Sequence, residues 1–218
     1  MARVQVLPDA VARRIAAGEV IERPVSVVKE LIENSLDAGA RRIVVEIDGG
    51  GIERIAVTDD GEGMAAEDLA LAFRPHATSK IRTEEDLLQI ATLGFRGEAL
   101  PSIAAVADVE VWTRRAADAT GAFLHLRGGE RLGGGATGTP QGCRIEVREL
   151  FFNTPARRKF LKSAQTESGH VGQLLGRIAL AAPETEFRFV QNGREALRFP
   201  AERPAERIAR VLGRELAG

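Results

Sequence analysis

The stretch Arg42 to Asp59, RIVVEIDGGGIERIAVTD, leaves this chain few choices of fold. Its two halves, RIVVEID at 42–48 and RIAVTD at 54–59, are rich in β-branched residues and alternate apolar with polar side chains. Between them stand Gly49, Gly50 and Gly51, which supply the positive φ of a tight reversal. The pattern predicts a hairpin rather than two parallel strands joined through a helix. The other strand-like runs fit the same plan: DVEVWTR at 108–114, GAFLHLR at 121–127, RIEVREL at 144–150, and the pair EFRFV and EALRF flanking Gln191-Asn192-Gly193. Helical patterns fall at 8–17 with Gly18 as a stop, at 24–38 ending in Ala38-Gly39-Ala40, within AAEDLALAF and EEDLLQIA, and after Gly97 in EALPSIAAV. Further helices begin at Pro155 and span 165–181 and 203–213, whereas the glycine-rich segment 128–142 reads as a surface loop or hairpin tip. Strands arriving as hairpins, with helices between and after them, predict an α+β class: a two-layer α/β sandwich with a mixed, mainly antiparallel sheet covered by helices on one face.

Length and composition narrow the function classes. The 218 residues suffice for one sizeable core. No apolar run approaches the ~18 residues of a membrane span, and no leader pattern opens the chain. With a single cysteine, Cys143, an internal disulfide and a multi-cysteine zinc cage are excluded, which fits a reducing compartment and predicts a cytoplasmic location, the bacterial cytoplasm or nucleoid. The net charge of −1 conceals an asymmetry: residues 1–150 carry 18 Lys and Arg against 24 Asp and Glu, residues 151–218 carry 12 against 7. A basic C-terminal part, with Arg157, Arg158 and Lys159 adjacent, suits contact with phosphate backbones and equally suits a solvated helix face.

Three stretches carry chemistry. In KELIENSLDAGA (29–40), helical spacing places Val28, Leu31, Ile32 and Ser35 on one side and Glu30, Asn34 and Asp37 on the other. Glu30 and Asn34, one turn apart, offer a carboxylate base beside a neutral amide oxygen, although a solvated face looks the same. In TDDGEGM (58–64), Asp59 closes a strand just before Gly61 and Gly63, so a carboxylate can accept from an exocyclic amine while bare backbone lets a flat ring approach. In LGFRGEALPSI (93–103), Gly94 and Gly97 precede a helix whose free N–H groups suit phosphate. The dipeptide Gly-Lys never occurs, which excludes a Walker A loop, and the Ser26-Val-Val-Lys29 match to penicillin-binding enzymes lacks its companion motifs.

Taken in order, AAGEVIERPVSVVKELIENSLDAGA (16–40), DDGEGM (59–64), HATSKI (76–81), LGFRGEALPSI (93–103) and LFFNTPARRKFLK (150–162) resemble the GHKL ATPases of the Bergerat fold, and within them the MutL family of DNA mismatch repair proteins. The resemblance implies an ATP- and Mg²⁺-dependent switch that hydrolyses ATP. It makes Glu30 the general base for the attacking water, Asn34 the one protein ligand of Mg²⁺, and Asp59 the acceptor for the adenine amine, with Gly61, Gly63 and Met64 beside it. Thr78, Ser79 and Lys80, together with Gly94, Phe95, Arg96, Gly97, Glu98, Ala99 and Leu100, become lid and phosphate cradle, and Asp37 and His76 are secondary candidates. These groups are expected to converge on one nucleotide-sized cavity. Where the family usually has Gly-Thr, this chain has Gly142-Cys143; a thiol is the weaker hydrogen-bonding group beside adenine, so somewhat reduced affinity is expected.

The same resemblance implies that residues 1–20 act as a dimerisation arm when ATP is bound and that 21–218 form the ATP-binding domain. Family members continue into a second N-terminal subdomain, which supplies a lysine to the γ-phosphate, and into a C-terminal dimerisation domain. The sequence through Gly218 is expected to lack both and to hydrolyse slowly by itself. Implied partners are a second copy of the chain, DNA, the mismatch-recognition protein MutS, and a downstream repair nuclease or helicase, with no membrane. A nucleic-acid-binding module, or a kinase or topoisomerase branch of the same superfamily, is the rival reading.

Overall fold

The computed structural model of the protein describes residues 5–78 and 97–213. Of the sequence expectations, residues 1–4 of the arm, the EEDLLQIA helix, and Ser79, Lys80, Gly94, Phe95 and Arg96 lie outside the described residues. The elements in order are α1 (Asp9–Val20), α2 (Pro24–Asp37), β1 (Arg42–Asp48), a single 3₁₀ turn (Gly49–Gly51), β2 (Arg54–Asp59), α3 (Ala66–Ala72), α4 (Ala99–Val106), β3 (Asp108–Arg114), β4 (Gly121–Arg127), β5 (Glu130–Thr137), β6 (Gly142–Arg148), α5 (Pro155–Phe160), α6 (Ala164–Ala181), β7 (Glu186–Gln191), β8 (Arg194–Phe199) and α7 (Pro204–Leu212).

The strands form one sheet in the order β5-β4-β3-β6-β2-β1-β7-β8. The 42–59 hairpin forms as expected, with Val45 opposite Val57 and Ile47 opposite Ile55. Gly50 (φ +74°) presses so closely on the start of α6 that a Cβ would lie 2.7 Å from the Ala164 backbone, which is why no side chain stands there. Every neighbouring pair is antiparallel except β1–β7, which is parallel and reached by the long crossover through α5 and α6.

Alternation decides which face is covered. Ile43, Val45 and Ile47 of β1, Ile55 and Val57 of β2, Val109 and Val111 of β3, Ile145 and Val147 of β6, and Phe187 and Phe189 of β7 form the core with Val27, Val28, Leu31 and Ile32 of α2 and Val171 and Leu175 of α6. Sealing an aliphatic side chain of this size from water stabilises by roughly 1.5–3 kcal/mol. The opposite face carries an ionic lattice in which Arg54 reaches Glu46 (3.1 Å), Asp48 (2.9 Å) and Glu146 (3.3 Å), and Arg144 reaches Glu46 (3.2 Å) and Glu146 (2.7 Å). This is the one-face-covered sandwich that the sequence predicts. Among the described residues no helix is long and apolar enough to cross a membrane.

Two expectations are corrected. Helix α1 does not stop at Gly18 but continues to Val20. The glycine serves packing instead, because the Arg157 guanidinium from α5 lies where a Cβ would be, and Arg157 Nη1 donates to the Ile21 carbonyl at 3.1 Å. The glycine-rich segment 128–142 is not simply a loop: after a turn at Gly128 and Gly129, β5 pairs with β4 and forms the sheet edge, with a register shift between His125 and Leu126. Backbone pairing alone makes this strand, since Gly133, Gly134 and Gly135 contribute no side chains to reveal a period.

Candidate nucleotide site

The site is assembled where α2 lies over the ends of β2 and β6. Pro24 opens α2 in its first turn, and Pro24, Val27, Val28, Leu31, Ile32 and Ser35 face the core. Glu30 and Asn34 consequently fall on the more accessible side, and the Glu30 side chain is 22% exposed. Lys29 Nζ lies 3.2 Å from Glu30 Oε1 and 2.8 Å from Glu33 Oε2. Burial disfavours the Lys29 charge, but the hydrogen bond to Glu33 and the charge of Glu30 outweigh it, so its pKa is raised.

Asp59 is fastened to the same helix. Ser35 Oγ donates to Asp59 Oδ2 at 2.8 Å, and the Gly61 N–H donates to Oδ1 at 2.9 Å. Burial raises the Asp59 pKa, opposed by those two bonds and by one from the Cys143 backbone N–H. Asp60 does different work: its Oδ1 accepts from the Arg41 and Arg42 N–H groups, both at 2.8 Å, tying the loop to the start of β1. The Glu62 N–H donates to Ala38 O at 3.0 Å, so the Gly-x-Gly loop docks on the C-terminal end of α2. Close approach explains its glycines. A Cβ on Gly61 would lie 2.7 Å from Ala38 O, and one on Gly63 (φ +69°) 2.3 Å from Arg114 O.

Cys143 enters from β6, opposite Asp59 across one strand pair and Thr113 across the other. Burial, and next the charge of Asp59, push its thiol pKa far up, against a hydrogen bond from Thr113 that lowers it. The group is a neutral S–H rather than a reactive thiolate.

Of the described residues expected on the phosphate side, those around His76 and those around Gly97 approach one another. A Cβ on Gly97 (φ +65°) would lie 2.6 Å from Ala77 O, and His76 Nδ1 stands 2.7 Å from Glu98 Oε1. Thr78 follows Ala77 in the chain, and Ala99 and Leu100 lie in the first turn of α4. The His76 side chain is otherwise 87% exposed.

Sequence reasoning missed three contributors. Ser35 was assigned to the apolar stripe, and the signal was its hydroxyl among aliphatic side chains. Asp60 was not separated from Asp59. Thr113 gave no signal beyond its place in an alternating strand. A cavity of about 530 Å³ is lined by Met64, α3 and the β4–β5 edge, and another of about 400 Å³ by Leu36, Gly39, Ala40 and the segment from the end of α6 to Thr185. The first adjoins the candidate site through Met64; neither is lined by Glu30, Asn34 or Asp59, so neither is the cavity on which those groups are expected to converge.

Comparison with known proteins places this geometry in a family. Residues 22–130 match the family described as histidine kinase-, DNA gyrase B-, and HSP90-like ATPase. The DNA mismatch repair protein MutL of Syntrophotalea carbinolica is 53% identical over 98% of this chain and 34% of its own length, and that of Symbiobacterium thermophilum is 53% identical over all of this chain and 34% of its own length. The chain thus spans about one third of these curated relatives. Among solved structures, the Aquifex aeolicus MutL ATPase domain complexed with ADP superposes with a TM-score of 0.71 at 37% identity, covering 88% of this chain and 70% of that one.

Proposed function

Because the chain belongs to the histidine kinase-, DNA gyrase B- and HSP90-like ATPase family, in its MutL branch, we propose that it binds ATP between α2 and the Asp59 loop and hydrolyses it as the switch of a mismatch repair protein. The observation that carries this reading is the Ser35–Asp59–Gly61 linkage, which holds the acceptor for an adenine amine against the helix bearing Glu30 and Asn34. Asp59 fixes the base, and bare backbone at Gly61 and Gly63 admits the ring next to Met64. Glu30 takes the proton from the attacking water. The first turn of α4 with Thr78, and by family resemblance Ser79, Lys80, Gly94, Phe95 and Arg96, surrounds the phosphates.

Mg²⁺ fits the donor set. Among the described residues no group of three or more His, Cys, Asp or Glu side chains could cage a metal, and Asn34 offers one neutral oxygen, as suits an ion that keeps water and phosphate ligands. When bound, such an ion neutralises charge developing on the phosphates. Turnover by residues 1–218 alone is slow in this reading, since the lysine of a second subdomain is needed at the γ-phosphate.

ATP-dependent pairing with a second copy through residues 1–20, contact with DNA, MutS and a downstream nuclease or helicase, and a cytoplasmic location complete the proposal. On α1 and its approach, Val6, Leu7, Val11 and Ile15 are exposed apolar residues suited to pairing. Of the three adjacent bases on α5, Arg157 is occupied by Ile21, leaving Arg158 and Lys159 exposed toward a phosphate backbone. The test is binding of a non-hydrolysable ATP analogue with Mg²⁺ by calorimetry. Saturable 1:1 binding lost in Asp59→Ala supports the proposal, whereas salt-sensitive DNA binding without any nucleotide binding overturns it.

A further inference from the structure

Three strand ends meet at the base end of the site, and one buried hydroxyl joins them. Thr113 is fully buried near the end of β3. It lies in register with Cys143 of β6, which is in turn opposite Asp59 of β2, so the three side chains form one row across the sheet. Thr113 Oγ1 accepts from the Met64 N–H at 2.8 Å and donates to the Gly142 carbonyl at 3.0 Å. The same hydroxyl neighbours the Cys143 sulfur and acts to lower the pKa of that thiol. A hydroxyl has a single proton, and here that proton goes to a backbone carbonyl while a lone pair takes a backbone N–H.

We propose that Thr113 is a positioning residue for the purine pocket: its hydroxyl locks the loop after β2 to the start of β6 and so sets the spacing between the Gly63–Met64 wall and the Asp59–Cys143 wall. The inference rests on the nucleotide reading above. An ordinary buried threonine satisfies itself on its own strand or helix; this one spends its proton and a lone pair on backbone groups of two other segments. Both segments are glycine turns that pack without room for a side chain. A Cβ on Gly63 would lie 2.3 Å from Arg114 O, and one on Gly142 (φ +109°) 2.1 Å from Asp59 O. The Gly63 turn is thus held tight against the end of β3 and the Gly142 turn against the end of β2, and the Thr113 hydroxyl sets how the two turns are aligned. Without it, the Met64 N–H and the Gly142 carbonyl lose these partners, and the loop holding Asp59 and Met64 can slide relative to Cys143.

Because Glu30 and Asn34 are carried by α2, which Ser35 rather than Thr113 ties to Asp59, the effect belongs to the base and not to the phosphates. The experiment compares wild type, Thr113→Val, which keeps the shape, and Thr113→Ser, which keeps the hydroxyl, for binding of ATP, ADP, GTP and Mg²⁺-tripolyphosphate, together with kcat and Tm. Thr113→Val is expected to weaken ATP and ADP equally by roughly tenfold, the size of a buried hydrogen bond left unmade. It should narrow the ATP-over-GTP preference, leave tripolyphosphate binding and kcat at saturation within about twofold, and be rescued by Thr113→Ser. A folded Thr113→Val with wild-type affinity and base preference overturns the proposal, as does an equal loss for tripolyphosphate, which would mark general destabilisation. If Thr113→Val does not fold, Thr113→Cys takes its place and should lose less in the same direction; wild-type selectivity there is equally fatal. Wild-type protein that binds no adenine nucleotide would instead refute the nucleotide reading itself.

Discussion

The two ends of the site are built differently. At the base end, Asp59 is gripped by Ser35, by the Gly61 N–H and by the Cys143 N–H, while Thr113 links the loops on either side. At the end proposed to be catalytic, Glu30 leans on Lys29, a side chain that is itself 47% exposed and shared with Glu33. In the proposed reading, preorganisation favours recognition of the base, since Asp59 is already held in place by protein groups. An exposed ion pair such as Lys29–Glu30 contributes at most about 1 kcal/mol, so the base remains easily redirected toward a water once phosphate and metal are present. Affinity and chemistry should then separate on mutation.

The sharpest test of that separation is Glu30→Ala in the complete protein. Turnover should fall by about 10²–10⁴-fold, the usual share of general-base catalysis, while affinity for a non-hydrolysable ATP analogue stays within about twofold. Parallel loss of binding, measured by calorimetry, would show that the two ends are one rigid unit. Asp59→Asn should do the reverse. One amide oxygen cannot serve Ser35, Gly61 and an adenine amine together, and the NH₂ opposes a donor, so affinity should drop by roughly 10–100-fold.

Asp59 also leaves a mark on stability. Its folded pKa lies above the ordinary 3.8, chiefly because of burial. A carboxyl of this kind binds its proton more tightly when folded, so its contribution is fully present below the unfolded value and is lost as pH rises through the folded one. The Tm of wild type relative to Asp59→Asn should therefore decline as pH rises from about 4 through that raised pKa and then level off. A difference that grows with pH over this window would mean that the hydrogen bonds, and not burial, dominate. Ser35→Ala isolates one of those bonds: it should cost about 1–2 kcal/mol of stability, read from denaturant unfolding, and weaken ATP by up to tenfold.

The same contrast explains what could be read in the sequence. Glu30, Asn34, Asp59 and the glycines near them could be singled out as candidates because the features that mark them are local, set by helical spacing or by adjacency at a strand end. The 42–59 hairpin was equally plain, since β-branched alternation and three glycines agree. By contrast, the parallel β1–β7 pair depends on residues some 140 positions apart, as Val45 opposite Phe189 illustrates, and no local pattern announces it. Strand β5 was hidden because its glycines carry no period, and Gly18 misled because a glycine that admits a neighbouring arginine looks like one that ends a helix. Ser35 and Thr113 escaped for a related reason: their partners arrive from other elements, so each looked like a small polar residue tolerated in a core.

The smallest expected effect falls on Cys143, where the family resemblance leads one to expect threonine. Cys143 stands between Asp59 and Thr113 as a neutral thiol, engaged with Thr113 and set in a base pocket whose other hydrogen bonds remain intact. Cys143→Thr replaces a weak donor and acceptor by a strong one without removing any backbone contact, because the Cys143 N–H to Asp59 bond is indifferent to the side chain. ATP affinity should then rise by about threefold, near the lower end of what one hydrogen bond contributes. GTP affinity should not rise with it, because the gain depends on a base already oriented by Asp59. Equal gains for both nucleotides would place the new hydroxyl against something other than the base, and would leave the base end less finished than its hydrogen bonds imply.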